Sequence, residues 1–300
     1  MKHFSTLIVI TALLSLSVVN EVQAQRWNRY RQEVGFSLGS SSMLGDLGGG
    51  PNQSSRFGDY QIGSSRFAVG GFYKYRFHDR FAVKANLIYG RVYASDTKTK
   101  NEGRASRNLD VRTDLVEASA QLEFYFLREK IGTGYKLKGI KGYGSSSISM
   151  YLLAGVGTSY FSPSGTNTAG DWVKLAPLNT EGQGLDGAPK DYSQLTLVFP
   201  VGFGIKYNLT KYIGVQFEAG LRYTTTDYLD DVSTQYYDGD LIESNFGAEA
   251  REMADKRTVA GGRDAVGEIR GNDERKDTYM FGLLSLTYRI KSKAKSRIRL

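Results

Sequence analysis

The stretch Leu195-Thr196-Leu197-Val198-Phe199-Pro200-Val201-Gly202-Phe203-Gly204-Ile205-Lys206-Tyr207 decides the fold. Leu195, Leu197, Phe199, Val201, Phe203, Ile205 and Tyr207 share one side, a period of two that only a strand produces. The four residues Asn208-Leu209-Thr210-Lys211 read as a tight turn, and alternation resumes at Ile213–Thr224 with Val215, Phe217, Ala219, Leu221 and Tyr223. Working outward, the same period marks Glu33–Ser40, Phe67–Phe77, Phe81–Tyr93, Arg112–Leu127, Ile148–Phe161 and Thr278–Ile290. Eight strands are therefore expected.

The connections alternate as well. His78-Asp79-Arg80 is another tight turn, whereas the segments after the first, third, fifth and seventh strands are long and polar. Short turns at one end and long loops at the other are the pattern of outer-membrane barrels, whose short turns face the periplasm. The segment Arg128 to Ser147 departs from this, being long at the short-turn end. The sequence has no cysteine, which excludes a disulfide framework. No stretch after residue 24 is apolar for the ~20 residues a membrane helix needs, yet Tyr (20), Phe (15) and Gly (35) are plentiful. A closed barrel is the other structure that satisfies its backbone within a bilayer. The expected fold is all-β: an eight-stranded antiparallel transmembrane β-barrel with long extracellular loops. A soluble sandwich or lipocalin-like barrel would share the alternation but turn its apolar faces inward.

At the N-terminus, Lys2 and His3 precede the apolar run Leu7 to Leu14, and Val22-Gln23-Ala24 offers small residues for cleavage. That order predicts a signal peptide at 1–24, a barrel domain at 25–290 and a basic periplasmic tail at 291–300. The expected location is the outer membrane, with both termini in the periplasm. The net charge of +8 then points to lipid or periplasmic partners; nucleic acid is not an expected partner of an exported chain.

With the apolar faces on lipid, the opposite faces carry Glu33, Lys74, Arg76, Lys84, Glu117, Glu123, Lys206, Glu218, Arg222 and Arg289. Eight strands enclose a lumen that side chains fill, and buried charges must be paired. An ion-paired plug without an open channel is expected.

Catalysis is not expected. Acid–base and nucleophilic chemistry usually recruits histidine, but His3 leaves with the signal peptide and His78 sits in a turn. No G-x-S-x-G motif stands out, and no cofactor is expected. The last long loop, Asp227 to Asp277, holds fourteen carboxylates against seven bases. Its opening, Thr226-Asp227-Tyr228-Leu229-Asp230-Asp231-Val232-Ser233, predicts a short helix with Asp227 as N-cap and Asp230 three residues on. A calcium site using Asp227, Asp230, Asp231, Asp238 and Asp240 is the less favoured reading. The basic residues Arg128, Lys130, Lys136, Lys138 and Lys141, with Lys291, Lys293, Lys295, Arg297 and Arg299, predict a periplasmic docking surface. An extra strand pair within 162–192 or 227–277 is also allowed.

Several stretches carry a family resemblance. They are Glu33-Val34-Gly35-Phe36 followed by Gly45-Asp46-Leu47-Gly48; Leu178-Asn179-Thr180-Glu181-Gly182-Gln183-Gly184; Pro200 to Tyr207; Thr226 to Thr234; and Arg270-Gly271. Together they resemble the PorG-like outer-membrane barrels linked to type IX secretion and gliding machinery. The resemblance implies a small non-enzymatic barrel that associates with a periplasmic ring built from the PorK lipoprotein and PorN. The alternative is a general surface barrel of the OmpX or OmpA type that binds ligands through its long loops.

Overall fold

The computed structural model describes residues 30–44, 47, 64–96, 106–129, 147–257, 266–271 and 276–291. The expected signal peptide lies outside the described residues.

Eight long strands form the wall: β1 (Gln32–Leu44), β2 (Arg66–His78), β3 (Phe81–Ser95), β4 (Asp110–Leu127), β5 (Ile148–Thr166), β7 (Leu195–Asn208), β8 (Ile213–Thr224) and β9 (Thr278–Ile290). A short β6 (Trp172–Lys174) pairs back onto the far end of β5. Each long strand is antiparallel to its neighbours in the order β4-β3-β2-β1-β9-β8-β7-β5, and pairing of β4 with β5 closes the ring. Closure leaves no long strand with an open edge, so the backbone polar groups of the wall are satisfied without water.

The strands alternate in the inverse sense to a soluble barrel. Phe36, Leu38, Phe67, Leu87, Leu195, Leu284 and Leu286 are exposed on the outer face, while Lys84, Glu117, Glu123, Lys206 and Arg222 are buried inside. That inversion fits lipid outside and excludes the soluble alternatives.

At one end the turns are tight. The β7–β8 turn is held by Thr210, whose amide donates to the Ile213 carbonyl at 3.0 Å and whose hydroxyl accepts from the Ile213 amide at 2.9 Å. At the other end β3, β4 and β5 run past the apolar belt. Their inward faces there turn apolar, with Ile88, Val92, Leu115 and Phe161 buried beside Tyr279, Phe281 and Leu283 of β9. Leu175, Leu229, Val232 and Met253 from the long loops pack onto this layer. Two short helices, α1 (Gly239–Phe246) and α2 (Ala248–Ala254), bury Ile242, Ala250 and Ala254 above it. The lumen is thus charged towards the tight turns and apolar beneath a cap of loops.

The loop Asp227 to Asp277 corrects one expectation. Residues 227–233 form turns, and the helices begin at Gly239. Asp231 adopts φ 62°, in the left-handed region, which ends any helical run from Asp227. The Asp227 carboxylate accepts from the Ser233 hydroxyl at 2.7 Å, and the Leu229 amide donates to Asp277 at 2.9 Å. Tertiary partners take the groups that a helix start would have used.

Candidate functional site

The first candidate site is the charged half of the lumen. Glu33 on β1 meets Lys206 on β7, Arg289 on β9 at 3.4 Å and Lys74 on β2 at 3.9 Å. Lys74 lies 2.9 Å from Glu123, and Lys84 lies 3.4 Å from the same carboxylate while also pairing with Glu218. Arg222 sits 3.4 Å from Glu117 and 4.0 Å from Glu218. Tyrosines add donors from the wall: Tyr125 to Glu123 at 2.6 Å, Tyr151 to Glu218 at 3.0 Å and Tyr279 to Glu117 at 2.8 Å. A Cβ at position 204 would lie 2.2 Å from the Tyr151 ring, so glycine there makes room for it.

All ten charges read from the strand phase are buried in this network. The sequence reading missed Glu129, which pairs with Arg289 and lies 3.0 Å from Arg76. The register of β4 against β5 shifts between Tyr125 and Leu127, so simple alternation does not reach it. With Glu129 the network holds five carboxylates against six bases. Each partner offsets a desolvation cost of several kcal/mol or more that an unpaired ion would bear.

The second candidate site is the cap, where three separate sequence blocks meet. Arg270 lies 2.9 Å from Glu181 and donates to the Asp231 carbonyl at 2.6 Å. Glu181 also accepts from the Ser233 amide at 2.9 Å, from the Thr234 hydroxyl at 2.7 Å and from the Tyr228 hydroxyl at 3.3 Å. The Asp231 carboxylate accepts from Thr180 and Tyr192. The Tyr192 and Tyr228 rings stack with centroids 4.5 Å apart, and Phe161 of the barrel stacks on Tyr192 at 6.2 Å. Burial pushes Asp231 up to about 6, against the pull of Arg270 and its hydroxyl donors. Burial and the nearby Asp231 carboxylate push Tyr192 far above the ordinary phenol range.

This geometry corrects the calcium reading. Asp227 serves Ser233, and Asp230 accepts from the Val232 amide at 3.2 Å. Asp231 serves Thr180 and Tyr192. Asp238 caps α1 through the Asp240 amide at 2.8 Å, and Asp240 pairs with Arg251. Five carboxylates hold five different places. No group of three or more His, Cys, Asp or Glu is arranged to hold a metal among the described residues.

Of the basic docking candidates, Arg128 is half-buried and pairs with Asp79 of the β2–β3 turn. Lys291 is exposed just past β9, at the same end of the barrel. Lys130, Lys136, Lys138, Lys141, Lys293, Lys295, Arg297 and Arg299 lie outside the described residues. His78 is exposed, and its Nδ1 accepts from the Arg80 amide at 3.2 Å.

Inverted wall, charged lumen and loop cap define a transmembrane β-barrel of eight strands. The chain belongs to the family described as Domain of unknown function (DUF6089), whose model matches residues 6–158, through the first four strands and most of β5. No curated protein matches the chain. Among solved structures it is similar to Neisserial surface protein A (NspA), at 12% identity over 86% of this chain and 97% of that one, with a TM-score of 0.38. It is similar to Ail, the attachment invasion locus protein of Yersinia pestis, in complex with the heparin analogue sucrose octasulfate, at 12% identity over 87% and 99%, with a TM-score of 0.35. It is also similar to the outer membrane protein OprG from Pseudomonas aeruginosa, at 12% identity over 88% and 98%, with a TM-score of 0.33.

Proposed function

We propose that this protein is a non-enzymatic outer-membrane barrel that anchors a type IX secretion or gliding assembly. Its tight turns and termini face the periplasm and its capped loops face outward. Residues 1–24 are the cleaved signal peptide, 25–290 the barrel and 291–300 a basic tail. The observation that carries the reading is the interior: charges paired across the lumen at one end, an apolar layer under an ordered cap at the other. A barrel filled in this way offers its ends and its outer wall to partners. The basic tight-turn end, with Arg128, Lys291 and the lysines and arginines around them in sequence, is the face proposed to meet periplasmic ring proteins of the PorK and PorN kind. The blocks that carry the PorG-like resemblance, Thr180 to Gly184, Thr226 to Thr234 and Arg270-Gly271, meet in the cap, which supports treating them as one structural unit. Deleting the gene should reduce secretion of cargo proteins, and deleting 291–300 should weaken co-purification with the ring. Normal secretion in the deletion strain would refute the anchoring role.

A second reading is a surface barrel whose loops bind external ligands. It is favoured by the exposed Leu241, Val266 and Ile269 on the cap. Normal secretion together with lost surface adhesion would select it.

A further inference from the structure

The cap is clasped to the barrel mouth at one buried centre, where segments 176–193 and 225–234 meet. Asp231 joins the two: its carboxylate accepts from the hydroxyls of Thr180 and Tyr192, near either end of the first segment. Tyr192 stacks in turn on Tyr228 and on Phe161 of the wall. Leu229 and Val232, close to Asp231 in sequence, belong to the same apolar cluster as Ile88, Val92, Leu115 and Phe161 of the barrel floor. Leu229 is also tied to β4, since its carbonyl accepts from the Thr113 hydroxyl at 2.6 Å. The state of Asp231 is therefore coupled to the seat of the cap on that floor.

The charges at this centre balance only when Asp231 is neutral. Asp231, Glu181 and Arg270 are all buried. Arg270 pairs with Glu181 at 2.9 Å and donates to the backbone carbonyl of Asp231 at 2.6 Å. The Asp231 carboxylate forms no ion pair among the described residues, and its donors are two neutral hydroxyls. The titratable and charged groups around it are Glu181 and Tyr192 of the first segment, Tyr228 of its own loop and Arg270 of segment 266–271. Asp227 and Asp230, on the same loop, accept from the Ser233 hydroxyl and the Val232 amide. Arg107 pairs with Asp96 and donates to the Arg270 carbonyl. An ionised Asp231 is a second buried anion beside Glu181, with one guanidinium for the two. A buried charge without a partner is costly, and opening to water relieves it.

We propose that the cap is a proton-operated lid: with Asp231 protonated it is latched over the apolar floor of the barrel mouth, and ionisation of Asp231 releases it and uncovers that floor on the long-loop side. In the closed lid, burial raises the Asp231 carboxyl from 3.8 to about 6, against the pull of Arg270, Thr180 and Tyr192. In the open lid the group is solvated and titrates in the ordinary carboxylate range. The proton therefore favours the closed form. Opening is rarest below about pH 4, rises from there to about pH 6 and is constant above. Each unit of separation is a factor of ten, so the whole rise is about a hundredfold, of which about tenfold falls between pH 5 and 8.

The test uses the full-length mature chain folded in neutral detergent. The sequence has no cysteine, so single thiols report without background. Val92→Cys places one in the floor, where Val92 is fully buried, and Ser244→Cys places one on the exposed side of α1. Maleimide labelling is followed by mass spectrometry. The rate at Val92→Cys divided by the rate at Ser244→Cys at the same pH removes the pH dependence of the thiol reaction itself. This ratio should rise about tenfold from pH 5 to 8. With Asp231→Asn, which keeps an acceptor for the two hydroxyls but does not ionise, it should be flat. Heat-modifiable gel mobility checks that each variant folds. A flat ratio with Asp231 in place, or the same rise with Asp231→Asn, overturns the proposal. Exchange of the Ser233 amide that rises with pH while Val92→Cys stays protected also overturns it, since the loop then frays without uncovering the floor.

Discussion

Arg270→Met tests the cap most directly. The substitution keeps most of the volume and removes the guanidinium that lies 2.9 Å from Glu181 and 2.6 Å from the Asp231 carbonyl. Glu181 keeps its donors from Ser233, Thr234 and Tyr228 but becomes a buried anion beside a second buried carboxyl, Asp231. Breaking a buried pair by removing one partner costs about 3–5 kcal/mol. The barrel should stay folded, because its pairing and lumen network do not involve Arg270. The loss should appear as local opening, roughly two to three and a half orders of magnitude at about 1.4 kcal/mol per factor of ten. Hydrogen exchange of the Ser233 and Thr234 amides, both donors to Glu181, reads it directly. Glu181→Gln/Arg270→Met removes the stranded charge and should exchange more slowly than Arg270→Met alone. Wild-type exchange rates in Arg270→Met, or a double variant whose cost equals the sum of its singles, would refute the pairing.

Three further outcomes are expected. Asp231, raised from 3.8 to about 6, keeps its proton in the folded cap between about pH 4 and 6, where an unfolded loop ionises. Its contribution to cap stability is therefore fully present below about pH 4, falls as pH rises from about 4 to about 6, and is constant above. Asp231→Asn tolerates the left-handed backbone and should remove this step, measured as the wild-type-minus-variant difference in exchange between pH 4 and 8; a flat difference refutes it. Glu33→Gln leaves Lys206 and Arg289 without a shared carboxylate and should lower unfolding stability in urea by a few kcal/mol, more than the surface change Lys211→Gln; equal effects refute the role of Glu33. Planar bilayers containing the wild-type protein should show no stable conductance steps, and reproducible open-channel currents would refute the filled lumen.

The wall was legible because a lipid-facing surface forces strict alternation: Leu195 to Tyr207 cannot be read in another phase. The phase also located the charges, since any side chain opposite a lipid-facing one must enter the lumen. Legibility stopped where that constraint stops. Beyond Tyr89, Arg91 points outward and Val92 inward, so the code inverts and the ends of β3, β4 and β5 were read short. Glu129 was hidden by the register shift near Tyr125. The cap was visible only as sequence blocks. Glu181 and Arg270 are joined by three-dimensional closure, with no local period to announce it. The helix expected at Asp227 failed because Asp227 accepts from the Ser233 hydroxyl, Asp230 from the Val232 amide, and the Leu229 amide that a cap would hold donates to the distant Asp277. α1 starts instead at Gly239, after Asp238, whose carboxylate caps it by taking the Asp240 amide.

The direction of the lumen pairs explains why charge is used inside at all. Backbone pairing fixes the circumference of a barrel but constrains its cross-section only weakly. Glu33–Lys206 joins β1 to β7, Lys84–Glu218 joins β3 to β8, and Arg222–Glu117 joins β8 to β4, all strands that are not neighbours in the ring. The Tyr279 bond to Glu117 crosses from β9 to β4. An apolar filling of equal volume could stabilise the barrel as well or better, but would permit sliding and repacking. Directional pairs fix which strands oppose each other. The apolar layer above them seats the cap, and the cap in turn closes the layer to water. Each end of the barrel is therefore held at a defined distance and orientation from the other. That is the mechanical property an anchoring post requires, and a pore would not.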